Sequence, residues 1–211
     1  MSKSRVEAFT DGVFAIAITL LVLTIAEPSN NYRNLGHQLW DRWPSLAAYV
    51  VSFVIIGIMW LNHHSIFNHF ERVDRPLVYL NQALLLTVVF LPYPTGVLGE
   101  ALRHGEGTHV AAVVYTVTMA INAYCWSALW LYASSGRRLL ADAFPENQRR
   151  AATVAFTVGS VVYTLAIGIA FINAYAALAF QALAAVYYAV DPLSRRVAAG
   201  LGDAGQEATL S

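Results

Sequence analysis

Apolar positions in this chain come in long runs separated by short polar breaks, at roughly 5–26, 44–66, 77–99, 109–133, 151–172 and 174–190. A helix needs about 20 such residues to cross the hydrocarbon core of a bilayer, so the pattern predicts six transmembrane helices. Pro28, Pro44, Pro76 and Pro192 fall at the proposed ends, where a missing N–H and a fixed φ do no harm. The sixth run is short, and Asn173 alone separates it from the fifth, which predicts a tight hairpin. No soluble domain fits between the spans. The longest internal loop, 134–150, carries Arg137, Arg138, Asp142, Glu146, Arg149 and Arg150 and is expected to form a short interfacial amphipathic helix. The Gly- and Ala-rich tail is expected to be disordered. The chain thus divides into a six-helix unit over 1–193 and a cytosolic tail over 194–211.

Composition agrees with the runs. Of 211 residues, 57% are hydrophobic and only 12% charged, against about 25% charged in a soluble domain. The fold class is all-α, a polytopic integral membrane protein solvated by the lipid bilayer. Thirteen basic and thirteen acidic residues cancel, which removes the electrostatic basis for a nucleic-acid partner. Cys125 is the single cysteine, so neither a disulfide framework nor a Cys-based zinc site is available.

Charge asymmetry sets the orientation. Lys3, Arg5, Arg72, Arg75, Arg137, Arg138, Arg149, Arg150, Arg195 and Arg196 fall on the amino-terminal side, and only Arg33, Arg42 and Arg103 on the other. The positive-inside bias then places both termini in the cytosol. Glu7 and Asp11 interrupt the start of the first run and no small-residue cleavage site follows, so it is expected to be a retained helix rather than a signal peptide.

Polar groups within the spans narrow the chemistry. A charge inside a span costs on the order of 3 kcal/mol and normally faces a partner or water, so Asp11 needs a donor. Arg5 lies six residues back, about 240° around the helix, and does not reach it along the same helix. Depth brings candidates: the second span ends with Trp60, Asn62, His63 and His64, and the third opens with Asn81 and Gln82. Asp11 is therefore expected to accept from a histidine, from Asn81, or from Arg5 of another helix. The cluster admits three readings: a metal site, a proton relay of the carboxylate–histidine kind, and a buried clamp fixing helix packing. The metal reading suffers because adjacent His63 and His64 point about 100° apart. Asn122 is expected to make an interhelical hydrogen bond, and Trp126 and Trp130 to pack or anchor.

Beyond Asp11, Gly12, Ile16, Thr19, Leu20 and Leu23 follow helical spacing and form one narrow stripe. Such a stripe is ordinary helix packing or, alternatively, a pore surface whose aliphatic rings constrict a water path around one hydroxyl. No TVGYG-type filter, nucleotide-binding loop or H-E-x-x-H pattern is present, so carbonyl-filter selectivity, ATP-driven transport and zincin chemistry have no support, and no enzyme activity is indicated.

The segment from Arg5 to Leu23, with Phe9-Thr10-Asp11-Gly12 at its centre, resembles the opening helix of the transmembrane protein 175 family, the lysosomal and bacterial potassium channels. In that family the motif usually reads Phe-Ser-Asp-Gly, and Thr10 replaces one hydroxyl with another. Tyr49, Ser52, Phe53, Trp60, His63, His64, Phe67 and Asp74, then Asn81 and the Leu91-Pro92 turn, extend the resemblance over about the first hundred residues. It implies a six-helix subunit in a homotetramer, with first helices lining a central cation pore in a bacterial-type cytoplasmic membrane. By the same resemblance Ile16 and Leu23 become constriction rings, Thr19 the polar ring between them, and Leu20 their neighbour. Arg5, Phe9, Asp11, Gly12, Trp60, His63, His64 and Asn81 become a structural network around the motif. The implied function is a passive, potassium-preferring leak channel with no cofactor and no bound metal, potassium being the permeant ion. The rival is a proton-coupled or proton-conducting transporter using Asp11 with His63 or His64. Glu27, past the outer end of the first helix, either concentrates cations at the mouth or is an ordinary loop carboxylate.

Overall fold

The computed structural model describes residues 2–28, 32–142 and 144–190; the expected tail over 194–211 lies outside the described residues. Its helices are α1 (Lys3–Leu20), which tightens into a 3₁₀ turn over Leu21–Thr24, α2 (Leu35–Trp40), α3 (Trp43–Asn68), α4 (Arg75–Phe90), α5 (Pro92–His104), α6 (Thr108–Ser134), α7 (Glu146–Ile172) and α8 (Ala174–Val190). Among the described residues five stretches are long and apolar enough to span a bilayer: Lys3–Thr24, Trp43–Asn68, Arg75–His104, Thr108–Arg137 and Glu146–Ile172. Helix α8 is the shorter sixth. The protein is an integral membrane protein with the expected order of spans.

The third span is two helices rather than one. Leu91 caps α4 and Pro92 opens α5; proline is welcome at a first helical position but removes an interior hydrogen bond, so the path steps there. Helix α2 has no counterpart among the apolar runs. The stretch 134–150 corrects the expectation of an amphipathic helix. After a turn at Gly136, with φ +57°, the chain bends back beside the α3–α4 connection, where Phe70 and Leu140 form an isolated antiparallel bridge. Glu71 N–H donates to the Leu139 carbonyl at 2.9 Å and Ala141 N–H to that of His69 at 3.1 Å. Leu139, Leu140 and Phe144 are buried under this clasp, and Arg137 donates to the carbonyls of Asp142 and Phe144 at 2.8 and 2.7 Å. Backbone pairing satisfies here what a helix would have satisfied internally.

Lipid tails are as apolar as leucine, so spans associate through close packing and interhelical hydrogen bonds rather than the hydrophobic effect. Both are visible. A Cβ added to Gly99 of α5 would stand 2.8 Å from the Ser45 Cα of α3, so glycine lets the two backbones meet. Thr95, Ser52 and Tyr115 form a buried hydroxyl chain across α5, α3 and α6, at 2.8 and 2.9 Å. Asn122 donates to Thr87 of α4 at 2.6 Å, the interhelical bond expected of it. Ser127 meets Ser160 at 2.7 Å and Trp130 donates to Thr153 at 2.9 Å, both between α6 and α7. Trp126 and Trp130 are buried and pack rather than anchor. Outside the spans, Asp74 caps α4 by accepting from Leu77 N–H at 3.0 Å and takes the Tyr132 hydroxyl at 2.6 Å.

Candidate functional site

Helix α1 has two faces of opposite fate. Val6, Thr10, Phe14, Ala17 and Leu21 recur at helical spacing and are buried against α3 and α4. The other face is uncovered. Gly12, Ile16, Thr19, Leu20 and Leu23 are all exposed, Ile16 at 57% and Leu23 at 76%. At 100° per residue, Arg5, Phe9, Gly12, Ile16, Thr19 and Leu20 fall within an arc of about 100°, and Arg5 and Phe9 are exposed as well. Ordinary packing within one chain therefore does not account for the stripe.

Thr19 is the polar member of that face. Its hydroxyl donates to the Ile16 carbonyl at 2.9 Å, which uses its one hydrogen and leaves oxygen lone pairs directed away from the helix. The group so presented is an acceptor between two aliphatic side chains, suited to a cation rather than an anion.

Behind the helix the polar residues form two separate constellations. In the first, Asn81 of α4 donates through Nδ2 to Thr10 Oγ1 at 2.9 Å, and its Oδ1 meets His63 Nε2 of α3 at 2.8 Å. All three are buried. The His63 ring stacks on Phe67 at 4.0 Å and lies 5.9 Å from Phe14 and 6.1 Å from Trp126, so three aromatic rings pack around it. The three helices are thus tied at one point by a fully enclosed hydrogen-bond chain.

The second constellation corrects the expected partner of Asp11. Its Oδ1 accepts from Trp60 Nε1 at 2.8 Å, with both side chains exposed, and not from a histidine or Asn81. The reason is rotational. Asp11 stands about 100° around α1 from Thr10, so while Thr10 turns toward Asn81, Asp11 reaches the flank of α3 where Trp60 projects. His64 shares that flank, its ring 6.4 Å from that of Trp60, whereas His63 turns into the core. The two histidines therefore occupy different environments, and His63 commits Nε2 to Asn81 rather than to a carboxylate.

At its other end α1 is held by a residue that the sequence did not single out for this role. Arg42, at the turn into α3, donates through both terminal nitrogens to the carbonyls of Ala26 and Glu27, the latter at 2.7 Å. An arginine two residues before a span is indistinguishable by sequence from any other loop charge. Thr10 was legible only as a substituted motif serine, without its bond to Asn81. The Glu27 side chain is exposed.

Residues 5–92, carrying α1, α3 and α4, match the family model described as endosomal/lysosomal potassium channel TMEM175. A potassium channel of Streptomyces collinus is 46% identical over 200 residues, covering 93% of this chain and 97% of that one. A potassium channel of Chamaesiphon minutus is 39% identical over 189 residues, 88% and 93% of the two chains. The crystal structure of a lysosomal potassium-selective channel TMEM175 homolog from Chamaesiphon minutus superposes with a TM-score of 0.80 at 37% identity, covering 89% of this chain and 96% of that one. With motif, helix order and near full-length similarity in agreement, the chain belongs to the TMEM175 family.

Proposed function

We infer that this chain is the subunit of a potassium-preferring leak channel, four copies surrounding a central pore lined by α1, with both termini in the cytosol. Conduction is passive and needs no cofactor. The observation that carries this reading is the uncovered stripe of α1, aliphatic at Ile16 and Leu23 with the Thr19 acceptor between them, on a helix whose opposite face is fully buried. The potassium-channel names of relatives aligned over most of the chain support the same ion.

Aliphatic rings do not replace an ion's hydration shell, so potassium crosses with part of its water retained. Potassium holds its water less tightly than sodium, which sets the direction of preference. Asp11, Trp60 and the Thr10–Asn81–His63 chain hold the helix from behind without facing that stripe. The rival proton relay loses its simplest form, because the Asp11 carboxylate is bonded to Trp60 and His63 to Asn81.

The test is flux in liposomes under opposed potassium and sodium gradients, with the mass of the detergent-solubilised oligomer measured beside it. The expected result is a reversal potential set by potassium in a four-chain particle, shifted toward sodium by Ile16→Ala and by Leu23→Ala. A proton-dependent, saturating flux abolished by Asp11→Asn would replace the channel with a carrier, and unaltered selectivity in both alanine variants would remove the pore from this face.

A further inference from the structure

We propose that Arg42 is a positioning residue for the outer constriction: it fixes the 3₁₀ end of α1 that presents Leu23. The proposal rests on the channel reading above but on a separate observation. The α-helix of α1 stops at Leu20, and Leu21–Thr24 continue as a tighter 3₁₀ turn, whose side chains project at different angles from those of the helix before it. The orientation of Leu23 therefore depends on what holds that turn.

Besides its own backbone bond from Ile25 N–H to the Val22 carbonyl at 3.2 Å, side chains hold it, Arg42 among them. Arg42 is buried at 9% exposure, and its guanidinium bridges two successive carbonyls, Ala26 and Glu27, just past the turn. A cation here also answers the negative end of the α1 dipole. Thr24 closes the turn from within, its hydroxyl donating to the Leu21 carbonyl at 2.7 Å. Gly96 of α5 abuts Thr24, and a Cβ added at Gly96 would stand 3.0 Å from Thr24 Cβ. Leu21 points into the core with no exposure, while Leu23 points outward. The turn is thus gripped between α5 and Arg42.

The planar fork is essential to this reading. Lysine keeps the charge but offers a single ammonium in place of two terminal nitrogens in fixed geometry, so Arg42→Lys separates position from electrostatics. Gly96→Ala perturbs the same turn through Thr24 and leaves the Arg42 side chain unchanged.

The experiment measures the sodium-to-potassium permeability ratio in liposomes for the parent, Arg42→Lys, Gly96→Ala, Leu23→Ala and the Leu23→Ala/Arg42→Lys double variant, with oligomer mass as the control for assembly. Arg42→Lys and Gly96→Ala are each expected to raise the ratio about threefold or more in an intact oligomer, and Arg42→Lys to change it less than about twofold once Leu23 is truncated, as coupled residues do. General destabilisation would not produce that loss of effect on the truncated background. A parent-like ratio in Arg42→Lys with an intact oligomer overturns the proposal, as does an equal shift on both backgrounds. If Arg42→Lys does not assemble, a parent-like ratio in Gly96→Ala overturns it. Absent flux in the parent overturns the channel reading, and the role of Arg42 falls with it; a selective parent whose ratio does not respond to Arg42→Lys leaves that reading standing.

Discussion

Asn81 ties α1, α3 and α4 at one point, and its removal has a calculable cost. Truncation to alanine deletes the bond to His63 at 2.8 Å and the bond to Thr10 at 2.9 Å. Interhelical hydrogen bonds in membrane proteins contribute on average about 0.6 kcal/mol and at most about 1.7, so the pair is worth about 1–3.5 kcal/mol. His63 and Thr10 are left at 2% and no exposure, with aromatic rings around the histidine and no route to water. The upper half of the range therefore applies, since an orphaned buried polar group adds its own penalty. Asn81→Ala is expected to lower unfolding free energy by about 2–4 kcal/mol, read from denaturing-detergent titration of the purified protein. Thr10→Val should cost about half as much, and Thr10→Ser, which keeps the hydroxyl but removes a fully buried methyl, about 0.5–1.5 kcal/mol. A loss under about 0.5 kcal/mol in Asn81→Ala, in a protein that still unfolds cooperatively, would refute the reasoning.

Two further predictions concern the frame. Gly99→Val drives a branched side chain into the Ser45 backbone, 2.8 Å from where its Cβ would sit; overpacking of this kind costs about 1–3 kcal/mol, and a melting temperature equal to the parent's would show that α5 slides freely on α3. Burial pushes the Asp74 carboxyl up, but the Tyr132 and Leu77 hydrogen bonds and the Arg138 charge together hold it below its ordinary 3.8. A depressed folded value means the unfolded chain binds the proton more readily, so this stabilisation is complete above the unfolded value and is lost as pH falls through the folded one. Asp74→Ala is accordingly expected to destabilise by about 1 kcal/mol or more at pH 7 through the lost cap, with the difference from the parent shrinking at strongly acidic pH; a pH-independent difference would remove the carboxylate from the account.

Much of this architecture was legible because a bilayer imposes a coarse code. Long apolar runs give spans, and prolines at their ends give boundaries, which is why α1, α3, α6 and α7 lie close to where the hydrophobic pattern puts them. The stripe on α1 was readable as a face, and its exposure decides between packing within one chain and a surface left for something else. The partner of Asp11 was not readable. Depth along the membrane follows from counting residues, but rotation about each helix relative to its neighbour does not, so the count pointed to a histidine or Asn81 and passed over Trp60 at the same level. The clasp between 69–71 and 139–141 escaped for another reason: backbone pairing leaves no residue-type signature when its side chains are simply apolar. The 3₁₀ end of α1 escaped because Leu21–Thr24 continues the apolar run without interruption.

Helix α1 is fastened near one end through Thr10 and near the other through the carbonyls that Arg42 bridges. A turn of one residue, about 100°, would carry each α-carbon sideways by about 3.5 Å on a cylinder of 2.3 Å radius, beyond the reach of any hydrogen bond that stayed where it was. Turning the helix like a tap would thus break the Thr10 fastening outright and pull on the one that Arg42 makes just past the other end of the helix. Any rearrangement of α1 is more cheaply reached by tilting α1, α3 and α4 as one block, carrying their shared bonds along, than by spinning the helix that bears the stripe.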